Sequence, residues 1–314
     1  MSFDLIVKGG VLPDGTRADI GIKGETIAAI EPNLTAEAGK IVDATDCLVS
    51  PPLVDPHFHM DATLSYGIPH FERTMEDGRR SVTELCEIAA DRGLLVDLHC
   101  DETDDPMSRH IEQLAYETQR LGLQGRVNGS HLTSMHSMDN YYVSKLLPLM
   151  AEAQVSAIPN PLINIMLQGR HDTFPKRRGM TRVKEMLAQG IRVGFGQDCC
   201  LDPWYSLGTA DMLDVAFMGL HVAQMSHPTE MAKCFDMVTT ESAAIMHLDH
   251  YGLAIGKRAS LVVLDAGNPT EAVRLRSERL CVVARGKVVA ERPRRDTSLS
   301  LPGRPAGVNR RHTL

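Results

Sequence analysis

The chain has 314 residues, and 40 Asp and Glu against 33 Lys and Arg give a formal net charge of −7. That balance excludes nucleic acid or an anionic membrane surface as the main partner. Hydrophobic residues at 43% and charged residues at 23% are those of an ordinary globular protein. No apolar run reaches the roughly 18 residues that a membrane-spanning helix needs. The opening residues, with Asp4 among them, lack the basic start and long apolar core of a secretion signal. The seven cysteines form no CxxC pair, so neither a disulfide framework nor a zinc knuckle is expected, and the expected compartment is the cytoplasm.

In chain order, residues 2–50 show short alternating apolar segments punctuated by Gly, Pro and Asp, which predicts a small β-unit. The same pattern returns at 259–266 and 280–290, with a turn at Arg285-Gly286. Two such pieces around a different middle predict one β-domain completed by both termini, over residues 1–50 plus 255–290. Residues 291–314 read as a polar surface tail.

The middle, residues 51–254, alternates short apolar strands with helical patterns, the mark of parallel βα units. Strands are predicted at 53–59, 68–71, 94–100, 126–132, 155–160 and 192–198. Helices are predicted near 80–92, 106–121, 139–153, 181–189, 208–225 and 229–246. Six strands fall short of the eight that close a (β/α)8 barrel.

The polar signals of this middle fall at strand ends, where parallel α/β folds build their sites. His57 and His59, at i and i+2 on one strand, point to one face and suit a divalent metal. His99 ends a second strand and offers a third imidazole. Glu102, three residues on, is a carboxylate placed to move protons beside a metal without binding it. His131 ends a third strand, with His136 in the loop after it, and Asp198 ends the last. Singly, each could be a buried, satisfied histidine, a capping aspartate or a solvated glutamate. Four such groups at four strand ends point jointly to a metal site. HxHxDH, HExxH, GxGxxG, a phosphate-binding loop and GxSxG are all absent. Cys199 has no accompanying motif of a thiol enzyme.

The segments DPHFHMD, VDLHCDETDD, GSHLTSMHS, NPLINIMLQGRHDTFPKRRGMTRVKEML and FGQDCCLDPWYSLGTADML resemble the cytosine deaminase family of the amidohydrolase superfamily. The likeness runs from residue 2 to about 290. It implies a TIM-type α/β barrel with a small β-sandwich built from both termini. It implies one divalent metal ion, iron or zinc, held by His57, His59, His99 and Asp198. Glu102 would be the proton shuttle, His131 would orient the attacking water and the developing tetrahedral centre, and Asp198 would accept the water's proton. Trp204 matches a tryptophan beside the substrate ring. The segment Ile68–Thr74 holds no lysine to bridge a second metal. The implied reaction is hydrolytic deamination of a cytosine-like amino-heterocycle, with ammonia released, by a homo-oligomer.

Two departures from that family bear on function. Position 199 is cysteine where a second aspartate is common, so Cys199 should leave room beside the ring. That shifts the expected substrate toward a C5-substituted pyrimidine, a triazine or a creatinine-like ring. The barrel also lacks two βα units after the His57–His59 strand, about six strands of eight remaining. The competing expectation is a metal-binding relic with impaired catalysis.

Overall fold

The computed structural model describes residues 2–60, 78–295 and 298–306. Five strands open the chain: β1 (Phe3–Val11), β2 (Arg17–Lys23), β3 (Thr26–Glu31), β4 (Ala38–Asp43) and β5 (Leu48–Ser50). Helix and strand then alternate through α1 (Gly78–Arg92), β6 (Val96–Cys100), α2 (His110–Arg120), β7 (Val127–His131), α3 (Asn140–Ala153) and β8 (Ser156–Ile158). Five helices follow: α4 (Pro161–Leu167), α5 (Val183–Ala188), α6 (Met212–Val222), α7 (Pro228–Asp236) and α8 (Thr240–Ile245). The chain ends with β9 (Leu261–Leu264), α9 (Pro269–Leu275), β10 (Arg279–Ala284) and β11 (Lys287–Glu291). Two compact units result, one of residues 1–53 with 248–314, the other of residues 54–247.

In the first unit the strands run β11-β10-β9-β5-β1-β2-β3, with β4 parallel to β1. The join between the two ends of the chain is the antiparallel pair β5–β9, where Val49 faces Val263. Alternate residues of four strands enter one apolar core, as strand periodicity requires: Leu5 and Val7, Ile20 and Ile22, Leu261 and Val263, Cys281 and Val283. Arg285 and Gly286 both take positive φ in the two-residue turn between β10 and β11. Such a turn matches the strand twist, and glycine adopts it without a Cβ penalty.

In the second unit β6, β7 and β8 form a parallel sheet. The segments 53–59 and 192–198, expected as strands, join it only through single parallel bridges, Phe58 with Asp198 and Val193 with Ala157. Pro51, Pro52 and Pro56 bring no N–H to a ladder, and Gly194 and Gly196 have no side chain to pack, so long pairing is not favoured there. The spatial order is therefore Phe58, the 192–198 segment, β8, β7, β6. The expected strand at 68–71, with the whole Ile68–Thr74 segment, lies outside the described residues.

Helices cover the sheet through spaced apolar residues: Ile111, Leu114, Ala115 and Thr118 of α2 are buried, as are Val82, Cys86 and Ala89 of α1. The single helix expected over 229–246 is broken at 237–239, where Thr239 leaves the helical region. The break frees two carbonyls for the poorly paired segments: Met237 O accepts from the Phe195 N–H, and Val238 O from the Val54 N–H. Short α4, not foreseen in the sequence, starts with Pro161 at its first turn. Among the described residues no helix is long and apolar enough to cross a membrane.

Candidate metal centre and active site

The expected histidines, Glu102, Asp198 and Cys199 sit where parallel segments end, and Trp204 lies in the loop that follows Asp198. Asp101, His131 and Asp198 have positive φ at those ends, a conformation that costs a non-glycine residue and persists only when its surroundings hold it. Two devices hold these turns. Asp101 is buried, and its carboxylate accepts from the N–H groups of His110 and Ile111 at 2.8 and 2.9 Å. It thereby ties the loop bearing Glu102 to the start of α2. Asp55 accepts from the N–H groups of Gln197 and His57, at 3.1 and 3.2 Å, and binds the His57 strand to the Asp198 strand. Burial raises the Asp55 pKa to about 6.

The structure brings His57, His59, His99 and Asp198 together, with one donor atom from each lying within 4.8 Å of the others. His57 Nε2 and His59 Nε2 are each 3.3 Å from Asp198 Oδ1. His57 Nε2 and Asp198 Oδ1 are buried and make no hydrogen bond to each other or to another protein atom. Two orphaned buried atoms in a set of three imidazoles and a carboxylate fit a divalent cation of the zinc or iron type. The field of the site favours positive charge. Burial opposes a charge on His57, but the Asp198 and Asp97 carboxylates overcome it and lift its pKa to about 10. Against its own burial, Asp198 is held far below the usual carboxylate range by His57, His59 and His131.

Glu102 and His131 lie beside this set and, with His99, form a second donor group. Glu102 is 3.5 Å from His131 Nδ1 and 4.0 Å from His99 Nδ1. His131 Nε2 lies 3.2 Å from His99 Nδ1 and 3.9 Å from Asp198 Oδ2. His131 has no exposed surface, and burial lowers its pKa to about 4, so it is neutral near pH 7. His136 is not part of the cluster; its Nε2 meets Asp104 at 2.8 Å. Trp204 is partly exposed, 38%, with its ring 5.8 Å from that of His59. Cys199 is buried, and burial together with the Asp198 and Asp202 carboxylates pushes its thiol up, so it stays protonated.

Four residues were not singled out from sequence. Asp97, two before His99 and so on the same strand face, accepts from His57 Nδ1 at 2.6 Å. Ser130 Oγ donates to Asp97 at 2.6 Å and lies 3.2 Å from His57 Nδ1. A carboxylate on the outer nitrogen of a metal-facing imidazole fixes its tautomer and orientation. Asn160 and Asn164, both fully buried, place their side-chain nitrogens 3.3 and 2.9 Å from His131 Nδ1. A Cβ at Gly196 would fall 2.2 Å from Asn160 Oδ1, so glycine is needed for that approach. The available signal was the i, i+2 spacing for Asp97; Asn160 read only as the end of a strand.

Several known proteins are similar to this chain in sequence or in structure. The 5-methylcytosine deaminase from Klebsiella pneumoniae, solved with 5-fluorocytosine, superposes with a TM-score of 0.88 at 29% identity, covering 95% of this chain and 100% of that one. A pterin deaminase of Rhizobium rhizogenes is 32% identical over 209 residues, which is 66% of this chain and 47% of the relative. An N-isopropylammelide isopropyl amidohydrolase of Pseudomonas sp. is 24% identical over 258 residues, 82% of this chain and 59% of the relative. The chain spans about half the length of these curated relatives. Residues 65–290 match the sequence pattern of the Amidohydrolase family, and the chain belongs to that family.

Proposed function

We propose that the protein is a metal-dependent hydrolase that deaminates a cytosine-like amino-heterocycle carrying a C5 substituent. The observation that carries this reading is the four-donor cluster with Glu102 and His131 beside it. The deaminases among the similar proteins support the reaction class. His57, His59, His99 and Asp198 would hold a divalent cation, iron or zinc, which when bound would lower the pKa of a water toward about 7.

The chain's own groups then divide the proton work. Asp198, kept ionised, accepts the proton of the attacking water. Neutral His131 holds the oxygen that adds to the amine-bearing ring carbon. Glu102, entering as the acid, protonates the neighbouring ring nitrogen, then takes the hydroxyl proton of the tetrahedral centre as the carbonyl forms and passes it to the departing ammonia; the proton held by Asp198 returns to Glu102 for the next cycle. Trp204 covers one edge of the ring, against His59. A small, uncharged Cys199 beside Asp198 leaves volume where an aspartate would place a charge, which favours a substituted ring over cytosine itself. Triazine and creatinine-like rings are the alternative substrates, and the pterin deaminase likeness adds a bicyclic ring to the test set. The bound partner is a small molecule, and the working state is a homo-oligomer.

The barrel is read as short by two βα units after the His57–His59 segment. Support comes from the five parallel segments that the described residues supply and from the half-length match to the curated relatives. The second reading, a metal-binding form with impaired turnover, draws on the same half-length match and on the exposure of Asp97 and His99.

The test is ammonia release by protein loaded with Fe(II) or Zn(II), offered cytosine, 5-methylcytosine, isocytosine, creatinine, an aminotriazine and pterin. Metal-dependent release is expected, fastest with 5-methylcytosine. Glu102→Gln should lower it about 10²–10⁴-fold while metal is retained. No release from any ring, with one metal bound per chain, would overturn the deaminase reading in favour of the impaired form.

A further inference from the structure

We infer that Asn164 is a positioning residue that sets the tautomer of His131, forcing the ring proton onto Nε2 so that the site-facing nitrogen is a neutral hydrogen-bond donor. The inference rests on the proposed role of His131 and deepens it. The constraint begins at the start of α4. The Asn164 N–H donates to Asn160 O at 2.9 Å, and the Asn160 N–H donates back to Asn164 Oδ1 at 3.0 Å. This reciprocal pair fixes which way the Asn164 amide faces, because its oxygen is taken by a backbone donor.

The Asn164 Nδ2 group is therefore the one 2.9 Å from His131 Nδ1. An N–H on Nδ1 would face another N–H at that distance, with both residues fully buried. Nδ1 must accept. The competing acceptor for an Nδ1 proton, Glu102 Oε1, is 3.5 Å away, too far to reverse the choice. Asn160 Nδ2 lies almost equally close to both ring nitrogens, 3.3 Å from Nδ1 and 3.4 Å from Nε2, and so favours neither tautomer, which leaves the choice to Asn164. The proton then lies on Nε2, which is 3.2 Å from His99 Nδ1 and 3.9 Å from Asp198 Oδ2, on the metal-site side of the ring. A donor held there before reaction can meet the negative charge that grows on the oxygen adding to the ring carbon.

The test reads the tautomer directly. The full chain is labelled with 15N in its histidine rings, in metal-free and zinc-loaded forms, and two-bond 1H–15N correlations are recorded. The His131 signals are identified by their loss in His131→Asn. A protonated Nε2 with a bare Nδ1 is expected in the native protein; any other pattern overturns the inference. Asn164→Leu, which removes the donor, should let both tautomers appear. Asn164→Asp keeps the Asn160 contact but offers an acceptor, so Nδ1 should become protonated. Where the reaction is observed, kcat for Asn164→Asp should fall about 10²-fold with KM little changed, the loss expected for one misdirected donor. An unchanged Nε2–H pattern in both variants would also overturn the inference. The spectra need no substrate, so a native Nε2–H without ammonia release would refute the function and leave the tautomer assignment standing.

Discussion

On the β7–β8 side of the site, His131, Asn160 and Asn164 have no exposed surface, and Asp198 keeps 2%. On the β6 side, the Asp97 and His99 side chains keep 31% and 36% of theirs. The helices differ in the same sense. Ile111 and Leu114 of α2 are fully buried, whereas Leu85 and Ile88 of α1 and Leu94 and Leu95 before β6 are exposed. Groups that need a low dielectric and a single orientation are concentrated where packing is complete. The four candidate donors divide between the two flanks: His57 and Asp198 are buried, whereas the His59 and His99 side chains keep 31% and 36% of their surface. Packing on the open flank is supplied by charge pairing, through Asp97 on His57, more than by apolar burial.

The largest effect separating the flanks is a pH dependence on the closed side. The His131 pKa is about 4 in the folded chain and 6.5 in an unfolded one. The unfolded chain therefore binds the proton first as pH falls. Above pH 6.5 His131 imposes no penalty; between 6.5 and 4 stability declines, by roughly 3 kcal/mol in all. Urea midpoints of metal-free protein across that range should fall more steeply for the native chain than for His131→Gln. Parallel curves would show that His131 is not held neutral by burial.

On the open side, Asp97→Asn should keep the fold and weaken metal retention by about 10–100-fold in competition with a chelator, because the partner of His57 Nδ1 loses its charge. Equal retention would mean that Asp97 does nothing for the metal. The smallest effect is expected on α1. Leu85→Lys with Ile88→Lys should change stability by no more than about 0.5 kcal/mol and reduce binding of a hydrophobic dye. A loss near about 2 kcal/mol would show that this face is covered in solution, and the contrast between flanks would then be smaller than the static structure implies.

Particular residues show how far sequence reasoning reached. The spacing of His57 and His59, and the positions of His99, His131 and Asp198 after apolar runs, marked residues that the structure brings together, because strand period and strand-end chemistry are local rules. The 53–59 and 192–198 segments were legible as extended but not as unladdered, since proline and glycine content does not say which neighbour will pair. The break between α7 and α8 was invisible, because it exists to turn the carbonyls of Met237 and Val238 toward Phe195 and Val54, residues far away in the chain. His136 follows His131 closely yet is bound to Asp104 instead.

The sequence by itself therefore determined the α/β class, the β-rich ends and the four residues that the structure brings together, since each follows from residue type and short-range period. Only the tertiary structure decided which groups support them. Asp97 reaches His57 across 40 residues, and Asn164 reaches His131 across 33. The supporting hydrogen bonds depend on how strands are laid side by side, and a tautomer depends on which buried atom has no other partner. Neither quantity is a property of any short stretch of chain.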